Sequence, residues 1–450
     1  MKILLLSCFM TLNVPLASSS EKALSIKEFL TLAKKNDPNF TKIISDREKL
    51  TFIVDLGLPS RKAVVSLKNE HGLSSSDSEN TSILSGSISK DIIESGTNLS
   101  ISHTKTTSTD RKEDLTEIRL EQSLYKNLLG RDVRLKKQAL VNEEEITRLE
   151  VLENYENYLD SILGQYFNFK KAIIDKNLSK KAYEETIKLR NNVKLKKSKK
   201  IASQTDLDKA ELQVLVRKED LLSKEEQLQT STNSIQRIIG YTRAIPSVHA
   251  DNLLDKKLYE LNLNENTKTS DLRQEKISSL RQSIATKEQT LARRSYDPSL
   301  SLIGGYNIDN SSTTNRNEAI IGLKIDIPIG DTKSSADFLN KSLSVAQSNL
   351  DLDITIKDLE KQKSITKAKL LKTKEKVDVS KEKLKLMERI VRSEEKRYQY
   401  GKVDLDRIIE INSDFFGYKA QYQSNILDYN RIVLSWLSLN DKLIPAIEKF

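Results

Sequence analysis

Two kinds of periodicity alternate along this chain, and the alternation happens twice. Segments in which apolar and polar residues trade places at every second position give way to long stretches with apolar residues at helical spacing on a charged background. The second half shows it most cleanly. Over residues 299–309, Leu300, Leu302, Tyr306 and Ile308 share a face with Gly304. Over residues 318–328, Ala319, Ile321, Leu323, Ile325 and Ile327 oppose Glu318, Lys324 and Asp326. Period two with one apolar side predicts strands, and their length suits a tilted crossing of a bilayer. In the first half, within 62–124, residues 63–70, 83–90, 97–103 and 117–124 alternate in the same way. The first and last of these pair with the two of the second half to predict four strands per chain. The segment 83–104 does not fit that count; as an extra hairpin or an extension of the first pair, its place stays open.

Each strand set is followed by a very long helical stretch. From Arg131 to Lys199 and from Ser335 to Tyr400 there is no proline, and Gly164 is the only glycine. Leu, Lys, Glu, Ala and Gln dominate, all good helix formers. The second stretch carries one apolar stripe through Leu343, Ala346, Leu350, Leu352, Ile354, Leu359 and Ile365. A helix this long and polar needs neighbours to be stable. The first stretch breaks near Lys200 and the second at Gly401, and a shorter returning helix follows each (205–239 and 404–439). Ahead of the first strand, residues 24–58 read as helical, with Ser25 as N-cap and an interruption at Pro38. The order of elements thus repeats: residues 21–240 form one unit and 271–440 a second, joined by a connecting segment 241–270 and closed by a tail 441–450.

The chain's start changes the picture. Lys2, the apolar run from Ile3 to Leu16, and the small residues Ala17 to Ser20 predict an export signal over residues 1–20. Cys8, the single cysteine, lies within it, so the exported part is expected to use neither disulfides nor thiolate metal sites. Beyond it no apolar run reaches the length of a membrane helix. A membrane can still be crossed by strands if they close into a barrel. Four strands cannot close, so the pattern calls for several copies. Three would supply twelve strands, enough to enclose a pore.

Composition excludes more than it proposes. The formal charge of +10 is modest beside 31% charged residues, and reads as a solvated surface with no nucleic-acid partner. His71, His103 and His249 have no metal-binding spacing. Phosphate-binding, dinucleotide and nucleophile motifs are missing. No enzyme and no cofactor are expected. A coiled-coil surface scaffold or adhesin without a pore is the competing class; it accounts for the helices but not for strands at equivalent points of a duplication.

Several segments resemble the TolC-like outer-membrane efflux factors over nearly the whole chain. They are Leu32-Ala33-Lys34-Lys35-Asn36-Asp37-Pro38, Asp297-Pro298-Ser299-Leu300-Ser301-Leu302 and Gly322-Leu323-Lys324-Ile325-Asp326-Ile327-Pro328-Ile329. Two more mark the helix breaks: Ile201-Ala202-Ser203-Gln204-Thr205-Asp206-Leu207, and Arg397 through Leu405 around Gly401. The resemblance implies a mixed α and β membrane protein, a trimeric 12-stranded barrel in the Gram-negative outer membrane continued by a periplasmic α-helical barrel. It implies a homotrimer contacting outer-membrane lipid, with a periplasmic adaptor and an inner-membrane transporter as partners. The expected function is the passive exit duct of a tripartite efflux pump for drugs or metal ions, or a type I protein secretion duct.

The resemblance also places candidate residues at the helical tips. The family has Gly at both turns; here Gly401 keeps it and Lys200 replaces it. Asp206 and Tyr398 match positions that can hydrogen-bond across helices and hold the duct closed. At the narrowest point, where acidic residues are usual, stand Arg407 and Glu410, a combination that implies weaker cation preference. The lysine run before the first turn supplies adaptor-docking candidates Lys196, Lys197 and Lys199, with Ser203 and Val403 at the turns.

Overall fold

A computed structural model of the protein describes residues 24–60, 62–72, 81–108, 112–240, 268–311, 315–330 and 332–448. The expected signal segment, most of the connecting segment and Phe450 lie outside these residues. Short helices open the chain: α1 (Ile26–Asn36), α2 (Pro38–Glu48) and α3 (Ile53–Gly57). Ser25 caps α1 by accepting from Glu28 N at 3.2 Å. Asp37 ends α1 and caps α2, accepting from Asn39 N at 2.9 Å with Pro38 at the first helical position. The expected break at Pro38 is therefore a change of helix.

Strands β1 (Ala63–Gly72), β2 (Thr81–Ile92), β3 (Thr97–Thr107) and β4 (Lys112–Ser123) follow. Then come the long helix α4 (Arg131–Ser198) and the returning α5 (Gln204–Ile239). After the connecting segment the order recurs: α6 (Arg273–Arg294), β5 (Ser299–Asn310), β6 (Asn315–Asp326), α7 (Thr332–Gln399) and α8 (Leu405–Leu439), with α9 (Leu443–Glu448) at the end. Each of α4 and α7 is unbroken over 68 residues, roughly 100 Å at 1.5 Å per residue.

The strand count corrects the expectation. One antiparallel sheet holds six strands in the order β1-β2-β3-β4-β5-β6, not four, and the unplaced segment 83–104 forms most of β2 and β3. Its weaker alternation concealed this: Ser82, Ser85, Ser87, Ser89, Ser100 and Ser102 dilute the apolar signal. Register exposes it. The row Val65, Ile88, Ile101, Ile118, Tyr306, Ala319 crosses all six strands on one face. The adjacent row, on the other face, reads Ser66, Ser87, Ser102, Glu117, Asn307, Glu318. Among the described residues nothing covers the apolar face; Leu67 is 84% and Ile321 86% exposed. With three copies the twelve-strand total no longer follows.

The turn between β2 and β3 is bonded to the end of β4 and lies against the residues that lead into α4. Ser123 N donates to Gly96 O at 3.0 Å, and Gln122 Nε2 to Ser95 O at 2.9 Å. Gly96 and Gly130 both have positive φ, and a side-chain carbon at either would strike the facing backbone carbonyl of Asn127 or Glu94.

Below the sheet the helices form a wall. In its lower half α5 packs on α4, α4 on α8, and α8 on α7; in its upper half α2 and α3 pack on α4, α4 on α6, and α6 on α7. The main core lies where the halves meet, around Phe29, Leu159, Tyr166, Ile235, Val433 and Leu443. Polar ties fix it: Tyr158 Oη donates to Asp37 Oδ2 at 3.0 Å, and Tyr166 Oη to Leu24 O at 2.9 Å. The expected stripe on α7 behaves differently. Leu359 is buried, but Leu343, Leu350, Ile354 and Ile365 are exposed among the described residues.

Candidate functional site: the helical tips

The α4–α5 and α7–α8 turns lie side by side at the far end of the wall and are built alike. At the first, Lys200 N bonds Lys197 O at 2.8 Å and Ile201 N bonds Lys196 O at 2.9 Å. At the second, Gly401 N bonds Tyr398 O at 3.1 Å and Lys402 N bonds Arg397 O at 2.8 Å. Both are Schellman caps, which need a left-handed residue. Gly401 has φ 68° and Lys200 has φ 57°. The departure at Lys200 thus leaves the turn geometry intact, with lysine held where glycine is comfortable.

The returning helices are capped differently. Ser203 Oγ accepts from Asp206 N at 3.0 Å while Asp206 Oδ2 accepts from Ser203 N at 2.8 Å, a reciprocal capping box. The Ser203 backbone N–H, and after it the Ser203 hydroxyl, which donates to the same Oδ2 at 2.8 Å, hold the Asp206 carboxyl below its ordinary pKa. Asp404 caps α8 by accepting from Arg407 N at 3.0 Å. Asp206 is therefore engaged in its own helix start. Its relation to Tyr398 is electrostatic: burial raises the Tyr398 phenol's pKa, and the Asp206 charge adds to the rise.

Tyr398 of α7 packs against a small core of Val193, Leu207, Ala210 and Leu405, drawn from the ends of α4, α5 and α8. Its ring is covered by Lys196, whose Nζ lies 3.6 Å from the centroid. Burial lowers the Lys196 pKa, but the ring face and the Tyr398 carbonyl, at 3.2 Å, favour the cation. Lys196 is thus turned inward between the hairpins. Lys197 donates to Gln204 Oε1 and Ser203 caps α5. Lys199, Lys200, Gly401 and Lys402 are exposed, and Val403 is half-buried.

A second link between hairpins gave no sign in the sequence. Lys209 on α5 meets Asp406 on α8 at 2.6 Å, and this hydrogen bond raises the lysine's pKa. Arg407 and Glu410 form an i,i+3 pair at 2.8 Å on the exposed side of α8. Nearby, a groove between hairpins is lined by Glu185, Asn192, Lys196, Glu395, Tyr398 and Asn412. Glu395 is exposed at the groove's rim; partial desolvation there raises its pKa and the Glu185 charge raises it further.

At the junction of the wall's halves, Glu153, Glu156 and Asp441 bring three carboxylates within 4.8 Å of one another. Arg273 enters among them, bonding Glu153 at 3.2 Å, Asp441 at 3.1 Å, and Glu156. The positive charge of this cluster is the chain's own. It joins α4, the start of α6 and the C-terminal turn, where Leu443 N also donates to Glu156 Oε1 at 2.8 Å.

No family profile matches the sequence, and no curated relative is found. Solved structures are similar over almost the whole chain. The Campylobacter jejuni CmeC outer membrane channel superposes with a TM-score of 0.69 at 14% identity, covering 96% of this chain and 94% of that one. The outer membrane protein VceC of Vibrio cholerae gives 0.68 at 11% identity, covering 93% and 95%. The open-state MtrE outer membrane channel of Neisseria gonorrhoeae gives 0.67 at 12% identity, covering 93% and 89%. Paired strand sets above paired long helical hairpins, with left-handed turns at both tips, therefore give this chain the fold of the TolC-like outer-membrane channels.

Proposed function

We propose that this chain is one stave of a homotrimeric channel in the Gram-negative outer membrane, the passive exit duct of a tripartite efflux pump. The observation that carries the reading is the uncovered apolar face of the sheet, set at one end of a polar helical wall about 100 Å long. Apolar area of that extent is rare on a soluble surface and marks a membrane or a partner. Among the described residues no helix is long and apolar enough to cross a membrane, so the sheet is the element suited to lipid.

The wall's two borders support assembly from copies. One border carries exposed Phe52 and Leu56 above Leu212, Leu215 and Leu222; the other carries Leu343, Leu350 and Ile354 above Leu371, Leu386 and Ile390. Apolar stripes on both borders of a long helical wall are what ring closure would bury.

In this reading the tips form the closed periplasmic end. Lys196, Asp206, Tyr398 and Lys200 with Gly401 shape the gate, and Arg407 beside Glu410 sets a constriction less negative than two acidic residues would. A periplasmic adaptor docks on the exposed surface near Lys197, Lys199, Ser203 and Val403, and an inner-membrane transporter supplies the energy. The cargo is small: drugs or metal ions.

Reconstitution in planar bilayers tests the channel; step-like conductance from a trimer is expected, and its absence favours the scaffold reading. Deleting the protein should raise drug or metal sensitivity and leave secreted proteins unchanged. A depleted secretome with unchanged sensitivity would move the duct to protein secretion.

A further inference from the structure

The six-stranded sheet has two free edges, and they run in opposite directions. β1 runs away from the helices and β6 runs back toward them, since all five intervening pairings are antiparallel. An edge at membrane depth leaves N–H and C=O groups without partners, which lipid does not tolerate. β1 of one copy can therefore meet β6 of the next as another antiparallel pair, at every seam. Resting on the trimeric duct proposed above, we infer that all six strands of each copy stand in the barrel wall, which closes through β1–β6 seams as eighteen strands.

Three observations support this over a four-stranded contribution with β1 and β2 set aside. First, the apolar band does not stop at β3. Val65 and Leu67 on β1, and Leu84 and Ile88 on β2, are exposed on the same face as Leu302, Tyr306, Ile321 and Leu323. The opposite face of β1 and β2 carries Ser66, Lys68, Glu70, Ser85, Ser87 and Ser89, suited to a wet lumen. A hairpin lying outside the wall would have no use for that polarity split. Second, the hairpin is fixed at its base. The β2–β3 turn is bonded to Gln122 and Ser123 and buries Ile93 against the start of α4, and β1 continues from α3, which itself packs on α4.

Third, the widths agree. Four helical columns per copy, spaced about 9 Å apart, span about 36 Å of wall. Strands about 4.8 Å apart and tilted by about 40° take about 6 Å of perimeter each. Six strands then span nearly the same arc as the helices beneath them. The sheet continues the helical tube without a taper, and eighteen strands leave an aqueous channel.

Cysteine pairs test the seam, since the only native cysteine is Cys8. Ser66→Cys on β1 is combined in turn with Glu318→Cys, Ile320→Cys and Gly322→Cys on β6, all on the polar face. A parallel set replaces Ser66→Cys by Ser102→Cys on β3. Membranes are oxidised, the protein is purified, and covalent species are separated under denaturing conditions. The expected result is covalent dimers and trimers for at least one β1–β6 pair and none for β3–β6. Covalent trimers from β3–β6 alone, in protein that runs as a trimer without oxidation, would overturn the eighteen-strand wall and leave the duct intact. Protein that is monomeric in every background would remove the duct reading itself. An electron-microscopy map of the purified oligomer, counting strands directly, gives the same decision without any substitution.

Discussion

The ammonium of Lys196 lies 3.6 Å from the centre of the Tyr398 ring and donates to the carbonyl of the same residue at 3.2 Å. One lysine thus holds the last turn of α7 against the last turn of α4. Such a cation over a partly buried ring contributes on the order of 1 kcal/mol. Lys196→Gln is expected to loosen the tips: faster amide exchange over residues 396–402 and higher single-channel conductance. Tyr398→Phe keeps both ring and carbonyl and should behave as the parent. If Tyr398→Phe opened the channel instead, the phenol hydroxyl and Asp206 would be the fastening.

The two turns make a matched pair of backbone tests. Lys200 occupies a left-handed conformation that costs about 1 kcal/mol for a residue with a side chain, so Lys200→Gly should slow amide exchange at the first turn. Gly401→Ala imposes the same strain on the second turn and should speed exchange there by a comparable factor. Equal exchange in all three proteins would mean that the left-handed geometry is not under strain.

Glu395 gives the tips a pH dependence. Its carboxyl pKa is raised by partial desolvation and then by Glu185, so the folded tip favours the protonated form. Stability from this site is therefore complete below the ordinary glutamate pKa and is lost as pH rises through the raised value. The tip should be tighter at pH 4 than at pH 7. Glu395→Gln should be as tight at pH 7 as the parent at pH 4, with a flat profile. Amide exchange across the pH series reads this directly, and a parent profile that tightened toward neutrality would contradict it.

Arg407 neutralises Glu410 at 2.8 Å. If the proposed duct narrows at this pair, exchanging the cation for a carboxylate, Arg407→Asp, should shift the reversal potential in a salt gradient toward cations. An unchanged reversal potential would place the constriction elsewhere.

Arg273 is only 11% exposed and serves three carboxylates. Removing one member of a buried ionic cluster typically costs about 3–5 kcal/mol, because the remaining charges lose their partner. Arg273→Met should lower the melting temperature sharply, and adding Glu156→Gln should recover part of the loss. A melting temperature within a degree of the parent would show that water already compensates the carboxylates.

The long helices, the breaks near Lys200 and Gly401, the cap at Ser25, the interruption at Pro38, and strands β1, β4, β5 and β6 were all legible in the sequence. Each rests on signals within a few residues: periodicity, absence of proline, a glycine, a capping side chain. Local chemistry determines such elements, and this chain states most of them twice. What the tertiary structure alone decided depends on residues far apart. The serine-rich β2 and β3 are weak strands in isolation and become members of the sheet because their apolar residues stand in register with those of β4 and β5. Asp206 could have reached across helices, but its own helix start claims it first. The link from Lys196 to Tyr398, the bridge from Lys209 to Asp406 and the convergence on Arg273 join the two halves of the chain. No periodicity within either half carries information about which charge will face which across the wall.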